Sequence, residues 1–252
     1  MAEIIHNIPG TLPEDKFENY LQTKLDKKAL EFVRVLSEEL DLIVFSGVIR
    51  DFYLNHHGEV RDLDLVVKHN FHHLESIINN FEEVQYNKNS FGGYKIKISN
   101  LTIDIWNAED TWAFKERKMQ QDCIFIEENL PKSCFFNFSS IVYDIKRKKF
   151  INSKNFQKFL KTKTLDIILE ANPYPELCVI NTFYYQDKFE LKISKNLKNY
   201  IKENFNKIPS HRFESIQVKH FNQVIYPFDI LKSRVDNLLP INRKKRIKNK
   251  KG

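Results

Sequence analysis

Between residues 42 and 67 the chain leaves little freedom in how it can fold. The run Leu42-Ile-Val-Phe45 is four residues long, enough for a buried strand and too short for a helix. It ends at Ser46-Gly47, which reads as a tight turn, and a short helix is expected over 48–54. A polar loop over 55–61 leads to Leu63-Asp-Leu-Val-Val67, a second strand. Further on, periodicity predicts a helix over 71–80 and strands over 82–86, 94–98 and 101–106, with turns at 87–93 and Asn100. Helices alternating with strands, then a meander, describe a mixed sheet with helices packed against it.

The flanks complete an α+β reading. Thr11 and Glu14 have capping-box spacing and Pro13 suits a first turn. Apolar positions from Phe17 to Leu40 then repeat at helical spacing, as one helix or a pair. After an irregular stretch from about residue 110, segments 140–145 and 149–152 predict a hairpin around Lys146-Arg147-Lys148. Beyond it the chain reads as helical over 153–161, 175–187, 194–205, 211–221 and 227–238, punctuated by prolines. The expected division is an α+β domain over 1–150, a helical domain over 151–240 and a basic, disordered tail over 241–252.

Charge singles out that tail. The net charge is +7, and residues 241–252 carry seven cations, among them Arg243, Lys244, Lys245 and Arg246, with no acid. The rest of the chain is formally neutral. Such a run either solubilises a terminus or binds a polyanion through its phosphates, without regard to sequence. Three cysteines, without metal-ligand spacing, point to reduced thiols and a cytoplasmic protein. No apolar run approaches the roughly 20 residues of a membrane span, so no membrane partner is expected.

The chemistry concentrates on three acids. Asp62 and Asp64 are two residues apart on a predicted strand, so both carboxylates project from one face while Leu63 and Leu65 enter the core. Two carboxylates held close repel each other, and a divalent cation relieves the conflict; an oxygen-rich set suits Mg²⁺ or Mn²⁺. In Leu101-Thr-Ile-Asp-Ile-Trp106, Asp104 lies on the face opposite Leu101, Ile103 and Ile105. If this strand neighbours that of Asp62 and Asp64, three carboxylates converge in the ligand set of a two-metal centre. Ser46 and Gly47, between strand and helix, offer backbone N–H groups to a phosphate, and Arg50, one turn on, can pair with it. Trp106 reads as core packing or as a platform for a nucleobase.

The segments SGVIRDFYL and RDLDLVV resemble the head of the class II poly(A) polymerases and tRNA CCA-adding enzymes, of the polymerase-beta-like nucleotidyltransferase superfamily. FSSIVYD at 138–144 and PELCVINTFYY at 175–185 are more weakly similar to the following hairpin strand and first neck helix, so the likeness spans about residues 30–205. It implies a nucleotidyltransferase head over 1–150 and a helical neck after it. It implies metal held by Asp62, Asp64 and Asp104, Asp104 also acting as base, and a triphosphate held by Ser46, Gly47 and Arg50. The implied reaction is NMP transfer from an NTP to a hydroxyl, most simply an RNA or tRNA 3′ end, with pyrophosphate released.

Departures from the pattern qualify that substrate. The turn is Ser-Gly where the family usually has Gly first, and Cys134-Phe135-Phe136 replaces an Arg-Asp pair. The neck positions that carry base-reading arginines in the family fall near Cys178 and Asn181. Two alternatives stay open: an inactive module binding nucleotide or RNA, and a nucleotidyltransferase of the toxin–antitoxin or phage-defence kind acting on tRNA or protein.

Overall fold

The computed structural model describes residues 14–56, 58–82, 84–89, 92–116 and 126–238. The chain divides into two compact units, Met1–Lys163 with Ile168–Ala171, and Thr164–Ile167 with Asn172–Gly252. The architecture is α+β.

The first unit opens with α1 (Glu14–Lys24) and α2 (Lys27–Glu39). The break between them is made by Asp26, whose carboxylate accepts from the Lys28 and Ala29 N–H groups at 2.9 Å and caps α2. The capping box expected at Thr11 lies outside the described residues. Strand β1 (Leu42–Phe45), α3 (Gly47–Tyr53) and β2 (Asp62–Val67) follow. A 3₁₀ turn at Phe71–His73 leads into α4 (Leu74–Asn79), then β3 (Gln85–Lys88), β4 (Tyr94–Ile98) and β5 (Leu101–Asn107). Strand β3 begins three residues later than the pattern predicts. Phe81 is used instead against Phe32 of α2, ring centroids 4.9 Å apart. Short helices α5 (Trp112–Lys115) and α6 (Ile126–Asn129) precede the hairpin β6 (Ile141–Asp144) and β7 (Lys149–Asn152), and α7 (Lys154–Thr162) closes the unit. Ser153 caps α7 through Phe156 N–H at 3.1 Å.

The seven strands form one mixed sheet in the order β3-β4-β5-β2-β1-β6-β7. β2 and β5 are parallel, while the other neighbours are antiparallel. Alternation gives the sheet two different faces. One carries Val44, Leu63, Leu65, Tyr94, Ile96, Ile103, Ile105, Tyr143 and Phe150, all buried. Phe17 of α1 meets Tyr143 and Phe150 there, at centroid distances of 5.0 and 5.1 Å. The other face is divided along its length. At one end Ile43, Val66 and Val142 pack with Ala108, Phe114, Ile126 and Leu130, joined by Phe45, Trp106 and Ile151. At the other end it is polar, and the acids stand there. Between β6 and the end of β2, Lys68 pairs with the fully buried Asp144 at 2.9 Å, and Asp144 also accepts from Arg147 N–H in the basic turn.

The second unit is helical: α8 (Pro175–Phe189), α9 (Lys195–Phe205), α10 (Ser210–Phe221) and α11 (Phe228–Asp236), with a two-residue parallel pair β8 (Thr164–Leu165) and β9 (Lys192–Ile193). Ser194 caps α9 through Leu197 N–H. Its core holds Val179, Ile180, Phe183, Leu197, Ile201, Phe213 and Leu231. Gln217, fully buried, donates to the Phe213 and Tyr226 carbonyls and accepts from Ile225 and Tyr226 N–H, so one amide ties α10 to the start of α11 without an unpaired group.

Candidate active site

Parallel pairing sets Asp64 of β2 directly beside Asp104 of β5, and Asp62 beside Thr102. On the other side of β2, Asp64 faces Phe45, the last residue of β1. The chain then turns at Ser46 into α3. An ideal Cβ on Gly47 would lie 3.7 Å from the Asp64 carboxylate, so the turn comes up against this acid. The three acids and the Ser-Gly turn therefore share one end of one sheet face.

The turn is conformationally unusual at its first residue. Ser46 is buried and has φ +30°, a region that favours glycine, whereas Gly47 does not have a positive φ. The chain accepts backbone strain at a serine there. Arg50, one turn along α3, is anchored on its flank: Nε and a terminal nitrogen each lie 2.8 Å from Asp51 Oδ1, and the guanidinium stands 5.2 Å from the Phe138 ring centroid.

Asp62 is exposed, and Asp64 and Asp104 are partly buried. Desolvation, then the neighbouring charges of Asp104 and Asp62, push the Asp64 carboxyl up to about 7, against a smaller opposing pull from Arg50 and Lys95. Desolvation also raises Asp104, opposed by Lys95, whose Nζ lies 3.4 Å from Asp104 Oδ2. A desolvated carboxylate with two further acids beside it belongs to a donor set that fits a hard divalent cation. The expectation that all three already converge on one point needs correction. Among the described residues no group of three His, Cys, Asp or Glu side chains is gathered as a metal ligand set. Lys95 of β4 occupies the flank of Asp104 instead, as its ion-pair partner.

Lys95 is the residue that the sequence reading missed. It was accessible: the Ser99-Asn100 turn between two alternating strands places Lys95 opposite Asp104 and Lys97 opposite Thr102, as observed. Trp106 takes the packing role, with its Nε1 donating to Thr111 Oγ1 at 3.1 Å and its ring against Phe45. A separate cavity of about 400 Å³ lies at the far, C-terminal ends of β2 and β5, lined by Lys68, His69, His72, Asn107 and Glu109 among others, and none of the three acids lines it. In the second unit, Cys178 is buried and Asn181 Oδ1 is buried without a partner. Arg243, Lys244, Lys245 and Arg246 lie outside the described residues.

No protein-family model and no curated protein matches the sequence. Solved structures match its fold. A CCA-adding enzyme in complex with CTP is similar over 87% of this chain and 54% of its own, with a TM-score of 0.64 at 16% identity. A tRNA nucleotidyltransferase complexed with a primer tRNA and an incoming ATP analog is similar over 82% and 60%, with a TM-score of 0.59 at 16% identity. An apo tRNA-processing enzyme is similar over 94% and 62%, with a TM-score of 0.58 at 18% identity. The chain thus shares its fold with these CCA-adding and tRNA-processing enzymes. It spans between 54% and 62% of the length of these three chains.

Proposed function

We propose that the protein is a divalent-metal-dependent nucleotidyltransferase that moves an NMP from an NTP to a hydroxyl, most simply at an RNA or tRNA 3′ end. The observation that carries this reading is the register of β2 on β5, which sets Asp64 beside Asp104 with Asp62 one pleat away and the Ser46-Gly47 turn against Asp64. Similarity to structures solved with CTP, with an ATP analog and with primer tRNA supports the substrate classes.

Asp62, Asp64 and Asp104 would hold Mg²⁺ or Mn²⁺, which when bound neutralises charge on the acids and on the reacting phosphate. The N–H groups of the Ser46-Gly47 turn and the Arg50 guanidinium receive the triphosphate, with Arg50 held in place by Asp51 and Phe138. The Asp104 carboxylate accepts the proton of the acceptor hydroxyl. That oxygen forms a bond to the α-phosphorus, the bond from the α-phosphorus to its bridging oxygen breaks, and pyrophosphate leaves with the electron pair. The work of this site is positioning and charge neutralisation. The free thiols of Cys134, half-buried, and Cys178, buried, are both pushed up to about 12 by desolvation, so they are inert and fit a cytoplasmic setting.

The test is Mg²⁺-dependent pyrophosphate release, measured with each NTP in turn, with and without bulk tRNA. Release with at least one NTP, abolished in Asp62→Asn and Asp64→Asn, is expected. Tight nucleotide binding without release under any condition favours the second reading, an inactive nucleotide- or RNA-binding module. The neck positions near Cys178 and Asn181, without the family's arginines, favour that second reading or a different base selectivity.

A further inference from the structure

The acid row has a neighbour on each side. On the β1 side stand Ser46, Gly47 and Arg50. On the other side stands β4, and beyond it β3, the edge strand of the sheet. Antiparallel register aligns Lys95 with Asp104 and Lys97 with Thr102, and continues them onto Asn87 and Gln85 of β3. These four side chains project from the same sheet face as the acids. All four are exposed, while Tyr94, Ile96 and Ile98 between them are buried on the opposite face. Among the described residues, the apolar packing of Ala108, Phe114, Ile126 and Leu130 covers this face further along, around Ile43, Val66 and Val142.

We propose that this exposed face of the β3–β4 hairpin, with Lys95 and Lys97 nearest the acids and Gln85 and Asn87 beyond, holds the phosphodiester backbone of a single-stranded RNA acceptor. The proposal rests on the reading of the acids as a nucleotidyl-transfer site and names the side from which the acceptor enters. A hydroxyl that is to give its proton to Asp104 must come within hydrogen-bond distance of that carboxylate. The phosphate next to that hydroxyl then lies within reach of the ammonium group already at 3.4 Å from Asp104. Lys97 continues the positive strip along the strand, and the amides of Asn87 and Gln85 extend it as neutral hydrogen-bonding groups to the open sheet edge. The triphosphate belongs on the other side of the acids, against the turn, so the two substrates enter from opposite flanks.

The test is binding of a fluorescently labelled single-stranded RNA with a free 3′ hydroxyl, measured by anisotropy across a salt series on the full chain, for wild type, Lys97→Ala, Lys95→Ala/Lys97→Ala and Lys95→Arg/Lys97→Arg. Mg²⁺-nucleotide affinity is measured in parallel. Lys97→Ala guards against misfolding, because Lys97 faces Thr102 and its removal leaves no carboxylate beside it unpaired; thermal melts check each variant. The double alanine variant is expected to weaken RNA binding and to reduce the salt slope by about 1.4, for two contacts at ~0.7 each on a single strand. Lys97→Ala should show about half that reduction, Arg should restore it, and the nucleotide affinity of Lys97→Ala should stay within about twofold. An unchanged RNA affinity and slope overturns the proposal, and so does a loss of nucleotide affinity in place of RNA affinity, which would assign the lysines to the triphosphate. Failure of the wild type to release pyrophosphate would remove the proposed reaction without altering the slope comparison, so the two can fail separately.

Discussion

At the scale of single residues, Ser46 and Asp64 both carry a local cost next to the proposed chemistry. Ser46 occupies a positive φ that glycine would adopt freely. Ser46→Gly is expected to raise stability by about 0.5–1 kcal/mol in urea unfolding, the relief of strain exceeding the added freedom of the unfolded chain. Asp64 is held up to about 7, well above the ~3.9 of an unfolded aspartate. Its folded form therefore keeps a proton that the unfolded chain releases, so the associated stability is complete below about pH 4 and is lost as the pH rises to about 7. Metal-free wild type should melt at progressively lower temperature from pH 5 to pH 8. Asp64→Asn should flatten that decline and melt several degrees higher at pH 8. The identity of these residues was legible in the sequence, because a carboxylate pair at strand spacing admits few readings. Their protonation was not, because it depends on desolvation and on Asp104 reaching the same face from forty residues away.

At the scale of elements, the strands bearing the acids were legible because each alternates cleanly, with Leu63 and Leu65 inward and Asp62 and Asp64 outward. The basic hairpin of β6 and β7 and the later helices, punctuated by prolines, were legible for similar local reasons. β3 begins three residues later than its pattern predicts, and Phe81 just before it packs on Phe32, a tertiary contact that periodicity cannot register. The loop into β4 depends on Gly93, where an added Cβ would stand 2.9 Å from the Ile105 carbonyl oxygen and 3.1 Å from Trp106 Cβ. Gly93→Ala is expected to cost about 1–3 kcal/mol in urea unfolding, since the obstacle is the backbone of β5 and cannot rotate away. It should also lower transfer activity, because β4 and β5 together present Lys95 and Asp104.

At the scale of the whole molecule, the charge is unevenly distributed: all the net positive charge lies in residues 241–252. Removing them is expected to weaken RNA binding and flatten its dependence on salt, with melting temperature unchanged; equal affinity and slope after truncation would show that the tail does not touch RNA. This chain spans little more than half the length of the CCA-adding enzyme with CTP that it resembles, so how much RNA it must hold with its own residues is a direct question for that experiment. The central claim is that the acid row is a metal-binding site, with chemistry its only reason for crowding. The most direct measurement is the melting temperature of wild type and Asp64→Asn at pH 8, each with and without Mn²⁺. A ligand at a hundred times its Kd, binding the folded state alone, stabilises by about 2.7 kcal/mol. Wild type should therefore melt higher with Mn²⁺, while Asp64→Asn should melt above wild type without metal and gain little from it. If Asp64→Asn melts below wild type by the same margin whether or not Mn²⁺ is present, Asp64 is a structural residue and the account of the site is wrong.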